Sequence, residues 1–342
     1  MSKRIALGLI GCGFFAQNHL HSWQDLKPEG VDIVAVCDTD AARAKAAAEK
    51  FGVPRWYTDA AEMFASEKLD LVDIATTMQS HLPLVKLAVS HGVPTIVQKP
   101  FGETIAQVRE MVDAAKAAGV FLAVHENFRF QKPLRKIIDV MKSGAIGTPS
   151  WARVSFRTGY DIYTGQPYLA QQERFVLIDV GVHVLDVARA LLGEVGHLTA
   201  ELQKRNPKAI GEDTATMMLR HTSGAVSMVE CTYGSRRVPD SFPETLIEVE
   251  GDKGAIVSRI GNVVEVTVNG KMEAFDEDPA VLAWAARPWH VAQESVLATC
   301  RHMLQAVQAG RDADTSAADN FRTFALVEAA YEAAGKVKPA ER

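Results

Sequence analysis

Short, mostly apolar runs recur along the first third of the chain, and each is followed by a segment whose apolar residues repeat every three or four positions. Uninterrupted apolar runs are typical of strands buried on both faces, and the longer repeat is typical of amphipathic helices. The runs are Ile5–Ile10, Val31–Cys37, Leu71–Ile74, Val93–Val97 and Val120–Val124. Strict alternation of strand and helix predicts an α/β domain with a doubly wound parallel sheet over residues 1–127.

The pattern changes after residue 127. Past a helix at Pro133–Lys142, apolar and polar residues alternate with period two between hairpin turns such as Gly251–Gly254 and Asn269-Gly270. The predicted strands are Trp151–Phe156, Asp213–Arg220, Ala225–Tyr233, Thr245–Val249, Gly254–Arg259 and Val263–Val268. Helical segments at Val291–Ala309 and Ala317–Ala334 close the chain. Residues 128–342 are therefore predicted to form an α+β domain with a large, mainly antiparallel sheet.

The first apolar run ends in a glycine-rich turn. Gly11-Cys12-Gly13-Phe14-Phe15-Ala16 fits the pattern G-x-G-x-x-G/A between a strand and a helix, which is the context of a dinucleotide-binding turn. Gly11 allows the tight turn, and Gly13 allows the backbone to approach a pyrophosphate. The backbone N–H groups of Phe14 and Phe15 are the expected phosphate contacts. A signal peptide ending at Cys12 is the alternative, but the apolar run is short for that role and glycines interrupt it.

Asp38 ends the second predicted strand and supplies the other half of the dinucleotide pattern. An acidic side chain there accepts hydrogen bonds from ribose hydroxyls and disfavours a 2′-phosphate. No Arg or Lys follows it immediately to receive a phosphate. The other interpretation is that Asp38 caps the next helix, but Asp40 is better placed to do so. We therefore predict NAD rather than NADP as the cofactor.

Polar residues stand at the carboxyl ends of the remaining strands of this domain. In doubly wound sheets, ligands bind outside those ends, so the polar residues are expected to converge on the cofactor. The predicted cofactor contacts here are Thr76, Ser80, His81, Gln98, Lys99 and Asn127.

Composition excludes several classes of function. The net charge is −5 and the cationic residues are scattered, so we expect no nucleic-acid partner. No apolar segment is long enough to cross a bilayer, so we expect no membrane partner. The four cysteines lie far apart without a C-x-x-C pair, which indicates a reducing compartment and neither a disulfide framework nor a zinc site. We predict a cytoplasmic protein that requires no metal.

Several short motifs are spread along almost the whole chain. They are Gly11–Ala16, Thr76-Thr77 with His81, Gln98-Lys99-Pro100, Asn127-Phe128-Arg129, Gly144-Ala145-Ile146-Gly147 and Asp179–Asp186. Together they resemble the glucose–fructose oxidoreductase, inositol dehydrogenase and rhizopine catabolism family of NAD(P)-dependent oxidoreductases. The resemblance implies a Rossmann domain, a sugar or polyol held between the two domains, and a homodimer or homotetramer formed through the open face of the second sheet.

The same resemblance implies the catalytic residues. Lys99 matches the family's catalytic lysine, and Asp179 and His183 match the acid and the histidine of its D-x-x-x-H element. Gln98 departs from the family, in which most members have Glu. This departure, with the tyrosine-rich loop around Tyr160, is similar to the apiose-type sugar dehydrogenases within the family.

Removal of a hydride from a carbinol carbon requires a base for the hydroxyl proton. Imidazole titrates near neutral pH, and a helix would place Asp179 and His183 on one face. Lys99 can instead stabilise the charge that develops on the reacting oxygen. The sequence leaves open whether His183 or Lys99 accepts the proton.

The predicted substrate contacts are Lys99, Asn127, Arg129, Tyr160, Asp179 and His183. Structural interpretations exist for several of them. A lysine at a strand end is often only a solvated charge, His183 fits a core histidine, and the Tyr160 loop fits an ordinary surface loop. Asp179 and His183 make no closed metal site by themselves.

We predict an NAD-dependent sugar or polyol dehydrogenase that transfers a hydride from a carbinol carbon to NAD. An aldose anomeric carbon oxidised to a lactone, as with apiose, is favoured. Two alternatives remain: an NAD-dependent glycoside hydrolase that uses transient oxidation, and a non-catalytic NAD-responsive binding protein. Substrate-dependent accumulation of NADH distinguishes the dehydrogenase from both.

Overall fold

The computed structural model describes residues 4–335, which form two compact units. Within the described residues, unit 1 contains 4–127 together with Ser295–Arg322, and unit 2 contains Phe128–Glu294 together with 323–335. Our division at residue 127/128 placed 295–322 in the second domain. In the structure this segment packs on unit 1, where the Thr315 hydroxyl donates to the Val124 carbonyl at 2.8 Å.

Unit 1 is built on a six-stranded parallel sheet in the order β3-β2-β1-β4-β5-β6. Its strands are β1 (Ile5–Ile10), β2 (Val31–Cys37), β3 (Arg55–Tyr57), β4 (Leu71–Ile74), β5 (Thr95–Gln98) and β6 (Leu122–His125). Its helices before the domain boundary are α1 (Ala16–Asp25), α2 (Ala41–Phe51), α3 (Ala60–Ser66), α4 (His81–Ser90) and α5 (Ile105–Ala118). Every residue of β4, β5 and β6 is buried, as the apolar runs predict.

Sequence order reverses beside β1, which lies between β2 and β4. Such a reversal opens a crevice outside the carboxyl ends of the strands, where ligands of doubly wound sheets bind. The glycine-rich turn follows β1 directly and therefore lies at this crevice. Helix α2 begins at the predicted cap, because Asp40 accepts hydrogen bonds from the N–H groups of Ala42 and Arg43.

Unit 2 is built on an eight-stranded sheet in the order β14-β13-β12-β11-β7-β10-β9-β8. Its strands are β7 (Pro149–Arg157), β8 (Val195–Gln203), β9 (Thr214–His221), β10 (Val226–Thr232), β11 (Leu246–Gly251), β12 (Gly254–Arg259), β13 (Val263–Val268) and β14 (Lys271–Asp276). All neighbours pair antiparallel except β7 and β10, which are parallel. The remaining helices of the chain are α6 (Lys132–Lys142), α7 (Ile162–Gly165), α8 (Val182–Leu192), α9 (His290–Ala309) and α10 (Ala317–Ala333).

Two features of unit 2 bear on function. A π-helical turn, Leu177–Gly181, leads directly into α8. Strand β9 alternates buried and exposed residues over most of its length, so one face of the sheet packs on the core and the other is open. Among residues 4–335, no helix combines the length and the hydropathy needed to cross a bilayer.

Candidate active site

The glycine-rich turn has the geometry that a pyrophosphate requires. Gly11 has a φ of +96°, and a Cβ atom there would lie 2.6 Å from the Ala75 carbonyl oxygen, so only glycine fits. A Cβ at Gly13 would meet no atom within 4 Å. The Phe14 side chain is 73% exposed, while Ala16 is buried where α1 begins. The turn therefore presents open backbone at a helix N-terminus, which suits an anion.

Asp38 joins the glycine-rich turn to the end of β2. One of its carboxylate oxygens accepts from the Cys12 N–H at 2.8 Å, and the other accepts from the Asp40 N–H at 2.9 Å. The Arg43 guanidinium, on α2, lies 3.2 Å from the same carboxylate. Sequence reasoning searched only for a cation next to Asp38 and missed Arg43, which one turn of α2 brings back to the strand end.

The loop after β4 holds three predicted cofactor contacts. Thr76 and Ser80 are partly exposed, and the Ser80 hydroxyl donates to Thr76 Oγ1 at 2.7 Å. The buried His81 ring lies between two carbonyls, with Nδ1 3.2 Å from Phe101 O and Nε2 3.3 Å from Thr76 O. Burial lowers the pKa of His81, so the ring is neutral near pH 7 and donates through one nitrogen. His81 thereby connects the loops that follow β4 and β5.

Two further predicted contacts direct their side chains into unit 1. The Gln98 Oε1 atom accepts from the Lys99 N–H at 2.6 Å, and its Nε2 atom lies 3.0 Å from His19 Nε2. The Asn127 amide donates to Ser295 Oγ at 2.7 Å. Lys99 is partly buried and is the first residue after β5. The Gln98 and Asn127 amides thus bond within unit 1, and the contacts of all three residues with the cofactor stay predictions.

His19, which contacts Gln98, belongs to a buried cluster of three residue types that can bind a metal. One potential ligand atom from each of His19, His125 and Cys300 lies within 4.8 Å of the others. Burial raises the pKa of the Cys300 thiol well above its ordinary value, and its sulfur lies 3.6 Å from His125 Nε2. Burial, followed by the neighbouring His19, lowers the pKa of His125 to about 3. Without a metal, a protonated thiol and a neutral imidazole are the forms that suit hydrogen bonding between Cys300 and His125.

Asp179 lies in the π-helical turn at the start of α8, where sequence reasoning expected a regular helix. Such turns occur frequently at functional sites because the extra residue displaces a side chain from the helical register. The Tyr233 hydroxyl donates to Asp179 Oδ2 at 2.8 Å. Burial, followed by the charge of Asp179, raises the pKa of Tyr233 well above its ordinary value, so the phenol remains a donor. Tyr233 was missed because only the fold brings the end of β10 to this turn.

The His183 ring is buried and stacks on Phe128, with 3.8 Å between ring centroids and an interplanar angle of 3°. The Arg129 guanidinium donates to the buried Asp186 carboxylate, with Nη2 2.8 Å from Oδ1. The Thr323 hydroxyl donates to the same oxygen at 2.9 Å. Arg129 therefore links the first residues of unit 2 to α8. Its contact with substrate stays a prediction.

Tyr160 belongs to an aromatic cluster of unit 2. Its ring stacks on Phe242 with 4.0 Å between centroids, and the Trp289 ring stands edge-on to it at 5.8 Å. The loop beyond Tyr160 forms a short helix whose Ile162 is buried, so this segment is anchored rather than an unattached surface loop. An anchored aromatic surface of this kind suits the apolar face of a sugar ring.

Each unit thus carries one part of the predicted chemistry. Unit 1 has the glycine-rich turn, the Asp38 carboxylate and Lys99 at the carboxyl edge of its sheet. Unit 2 has the Asp179 carboxylate oriented by Tyr233, and His183 stacked on Phe128. A nicotinamide dinucleotide fits the first set, because a backbone cradle lies beside an acidic strand end.

Comparison with known proteins agrees with this geometry. The oxidoreductase family with an NAD-binding Rossmann fold matches residues 5–126, and the GFO/IDH/MocA C-terminal domain matches residues 134–257. A D-apiose dehydrogenase of Rhizobium rhizogenes is 49% identical over 326 residues, 95% of this chain and 94% of that protein. A D-apiose dehydrogenase of Paraburkholderia graminis is 46% identical over 339 residues, 99% of this chain and 90% of that protein.

Two solved structures have the same fold. An oxidoreductase from Agrobacterium radiobacter, in complex with NAD+, L-tartaric acid and magnesium, has a TM-score of 0.95 and 48% identity, covering 97% of each chain. A levoglucosan dehydrogenase with NADH and levoglucosan has a TM-score of 0.85 over 98% of each chain, but at 22% identity it shows the fold alone. The predicted fold class and the NAD cofactor are confirmed. The chain belongs to the GFO/IDH/MocA family of NAD-dependent oxidoreductases.

Proposed function

We propose that this protein is an NAD-dependent dehydrogenase that oxidises the anomeric hydroxyl of D-apiose, or of a closely related aldose, to the lactone. The observation that carries the proposal is the 49% identity, over 95% of the chain, to a D-apiose dehydrogenase. The presence of Lys99, Asp179 and His183 supports it, because a binding protein without catalysis has no need of this set.

The proposed roles follow from the chemistry of each side chain. Bound NAD supplies the hydride acceptor for the anomeric carbon. Lys99 donates a hydrogen bond to the reacting oxygen, and His183 accepts the proton that leaves the hydroxyl. Asp179, held by Tyr233, accepts a hydrogen bond from the sugar. The balance is one hydride to NAD and one proton to the enzyme for each lactone formed.

The test is NADH formation with purified protein, NAD and a panel of aldoses and polyols that includes D-apiose. We expect NADH to accumulate with D-apiose, and Lys99→Ala to lower kcat by about 10²-fold to 10⁴-fold, as expected for loss of a group that assists proton transfer. Lys86→Ala is the matched control, because Lys86 pairs with Glu110 on the surface of unit 1.

Two other outcomes would overturn the proposal. Release of sugar from a glycoside with catalytic NAD and no NADH accumulation would identify a hydrolase. NAD binding without turnover of any sugar or glycoside would identify a binding protein.

We further propose that the protein is a cytoplasmic homodimer or homotetramer that assembles through the open face of the unit 2 sheet. Met218 on β9 and Met228 on β10 lie opposite each other and are 54% and 42% exposed, which supports an apolar contact there. All four cysteines are free and buried, which suits a reducing compartment. The scattered cationic residues support the absence of a nucleic-acid partner.

A further inference from the structure

A chain of buried hydrogen bonds runs through the interior of unit 1 to the backbone of Lys99. The Asp73 carboxylate, on β4, lies 2.7 Å from His19 Nδ1 and accepts from the Trp23 indole at 2.7 Å. His19 Nε2 lies 3.0 Å from the Gln98 amide nitrogen, and Gln98 Oε1 lies 2.6 Å from the Lys99 nitrogen. Asp73 and His19 are fully buried, so bulk water does not reach the bond between them.

The backbone of Lys99 fixes the direction of every bond in the chain. A backbone N–H can only donate, so the Gln98 atom that faces Lys99 must be the amide oxygen. The Gln98 amide nitrogen therefore faces His19 and donates, which requires His19 Nε2 to be unprotonated. The remaining proton of the neutral His19 ring is on Nδ1, where it is donated to Asp73.

We propose that His19 is a positioning residue for Lys99: Asp73 selects the Nδ1–H tautomer of His19, this tautomer orients the Gln98 amide, and the amide holds the first backbone N–H beyond β5. The proposal rests on the proposed function, in which Lys99 touches the reacting oxygen. Helix α1 begins at the glycine-rich turn and carries His19, so in this proposal the same helix also positions Lys99.

The other titratable groups around His19 are neutral, so they add no charge beside the hydrogen bonds between Asp73, His19 and Gln98. The Oδ2 atom of Asp73 accepts from the Trp23 indole and lies 2.7 Å from His19 Nδ1, so this carboxylate oxygen has two donors on α1. The His125 ring lies 4.1 Å from the His19 ring and is neutral, because burial lowers its pKa to about 3. Cys300 beside His125 keeps its proton. Asp73 is therefore the charged side chain of the cluster, and it faces His19 Nδ1.

The first test needs no substrate. We expect ¹⁵N NMR of histidine-labelled protein to show His19 as the neutral Nδ1–H tautomer under the conditions of the activity assay. Hydrogen exchange should show a protected Lys99 amide. An imidazolium, or the Nε2–H tautomer, would overturn the proposal even in an active dehydrogenase.

The second test uses two variants that each keep one half of the His19 contacts. His19→Asn retains a donor near Asp73 but loses the acceptor for Gln98, whereas His19→Gln retains an acceptor near Gln98 and loses the donor to Asp73. We expect His19→Asn to lower kcat by about tenfold to a hundredfold, with little change in the dissociation constant for NADH, because misplacement of Lys99 affects the chemical step. His19→Gln should keep more of kcat and more protection of the Lys99 amide.

A purely structural role predicts the opposite order. Asp73 is a buried charge, so a variant that leaves it without the His19 donor should be the less stable one. If kcat follows the thermal midpoint, with His19→Asn ahead of His19→Gln, the positioning role is contradicted. Ser22→Ala is the matched control on α1, since Ser22 is fully buried and its hydroxyl has no hydrogen-bond partner in the described part of the chain.

Gln98→Glu gives a third readout that does not depend on truncating His19. Both oxygens of the introduced carboxylate would be acceptors, so His19 must carry a second proton to donate to one of them while its Nδ1–H still donates to Asp73. We expect a new alkaline limb in the kcat profile of this variant, with activity falling as His19 loses that proton. A Gln98→Glu profile identical to wild type would overturn the proposal. Absence of NADH formation by the wild type would instead contradict the proposed function, and the NMR and exchange results would still decide the hydrogen-bond chain.

Discussion

Tyr233 binds one oxygen of the Asp179 carboxylate. The phenol is buried and donates to Asp179 Oδ2 at 2.8 Å, and its raised pKa keeps it protonated throughout the physiological range. A hydrogen bond to a charged acceptor contributes about 1.5 to 3 kcal/mol, more than one between neutral groups. One oxygen of Asp179 is therefore already bonded to Tyr233 before the proposed contact with substrate forms.

Tyr233→Phe removes that hydrogen bond with little change in shape. We expect a loss of about 1.5 to 3 kcal/mol in the free energy of unfolding and a lower kcat/KM for the sugar, because Asp179 loses its fixed orientation. Urea unfolding and initial rates of NADH formation measure the two effects. Tyr57→Phe is the control, since Tyr57 also donates to a carboxylate, that of Glu67, but lies on β3. Equal effects of the two substitutions on kcat/KM would contradict a role for Tyr233 in the site.

The central strands could be predicted because a strand buried on both faces consists almost entirely of apolar residues. β4, β5 and β6 are buried at every residue and appear as apolar runs. β3, β8 and β14 were missed, because their residues are mostly exposed and show no apolar run or continuous alternation. All three are edge strands, so sheet pairing rather than local pattern defines them.

Part of the candidate site could be predicted in the same way. The glycine-rich turn, Asp38 and Lys99 stand at strand ends, and the sequence shows these positions directly. The sequence does not show the partners of the inward-facing side chains. Gln98 contacts His19, which is 79 positions away in the sequence, and Asn127 contacts Ser295, which is 168 positions away. Asp73 inside the apolar run of β4 was a visible signal, since a buried carboxylate needs a donor on another element.

The same buried elements predict a dependence of stability on pH. Burial between β6 and α9 lowers the pKa of His125 to about 3, whereas an unfolded histidine has a pKa of about 6.5. Between these values the unfolded chain binds a proton that the folded chain does not. The free energy of unfolding should therefore fall as the pH falls through this window, by up to about 1.4 kcal/mol per pH unit from this residue.

Urea unfolding of wild type and His125→Gln at a series of pH values measures this effect. We expect a shallower dependence on pH for the variant, since glutamine does not titrate. His91→Gln is the control, because His91 is exposed at the end of α4. Parallel curves for wild type and His125→Gln would show that His125 is not the group that binds the proton.

The proposed assembly of the whole molecule uses the open face of the unit 2 sheet. Glu230 on this sheet is neutralised by Arg153 and Arg157, with Arg157 Nη1 2.8 Å from its carboxylate. The neighbouring Met218 and Met228 form an exposed apolar pair on adjacent strands. Paired charge beside exposed methionines is compatible with burial against a second copy, because a carboxylate that keeps its guanidinium partners loses less on desolvation.

Met218→Glu combined with Met228→Glu should convert an oligomer to monomers. A stable interface buries more than about 1,000 Å² of surface in total, and two carboxylates at its apolar centre would lose their hydration without gaining a partner. Light scattering coupled to size-exclusion chromatography measures the mass of wild type and variant over a range of concentrations. Ile210→Glu is the control, because Ile210 is also an exposed apolar residue but lies in the loop before β9. Unchanged far-ultraviolet circular dichroism of the double variant would show that its dissociation does not reflect unfolding. A monomeric wild type, or a double variant with the wild-type mass, would contradict assembly through this face.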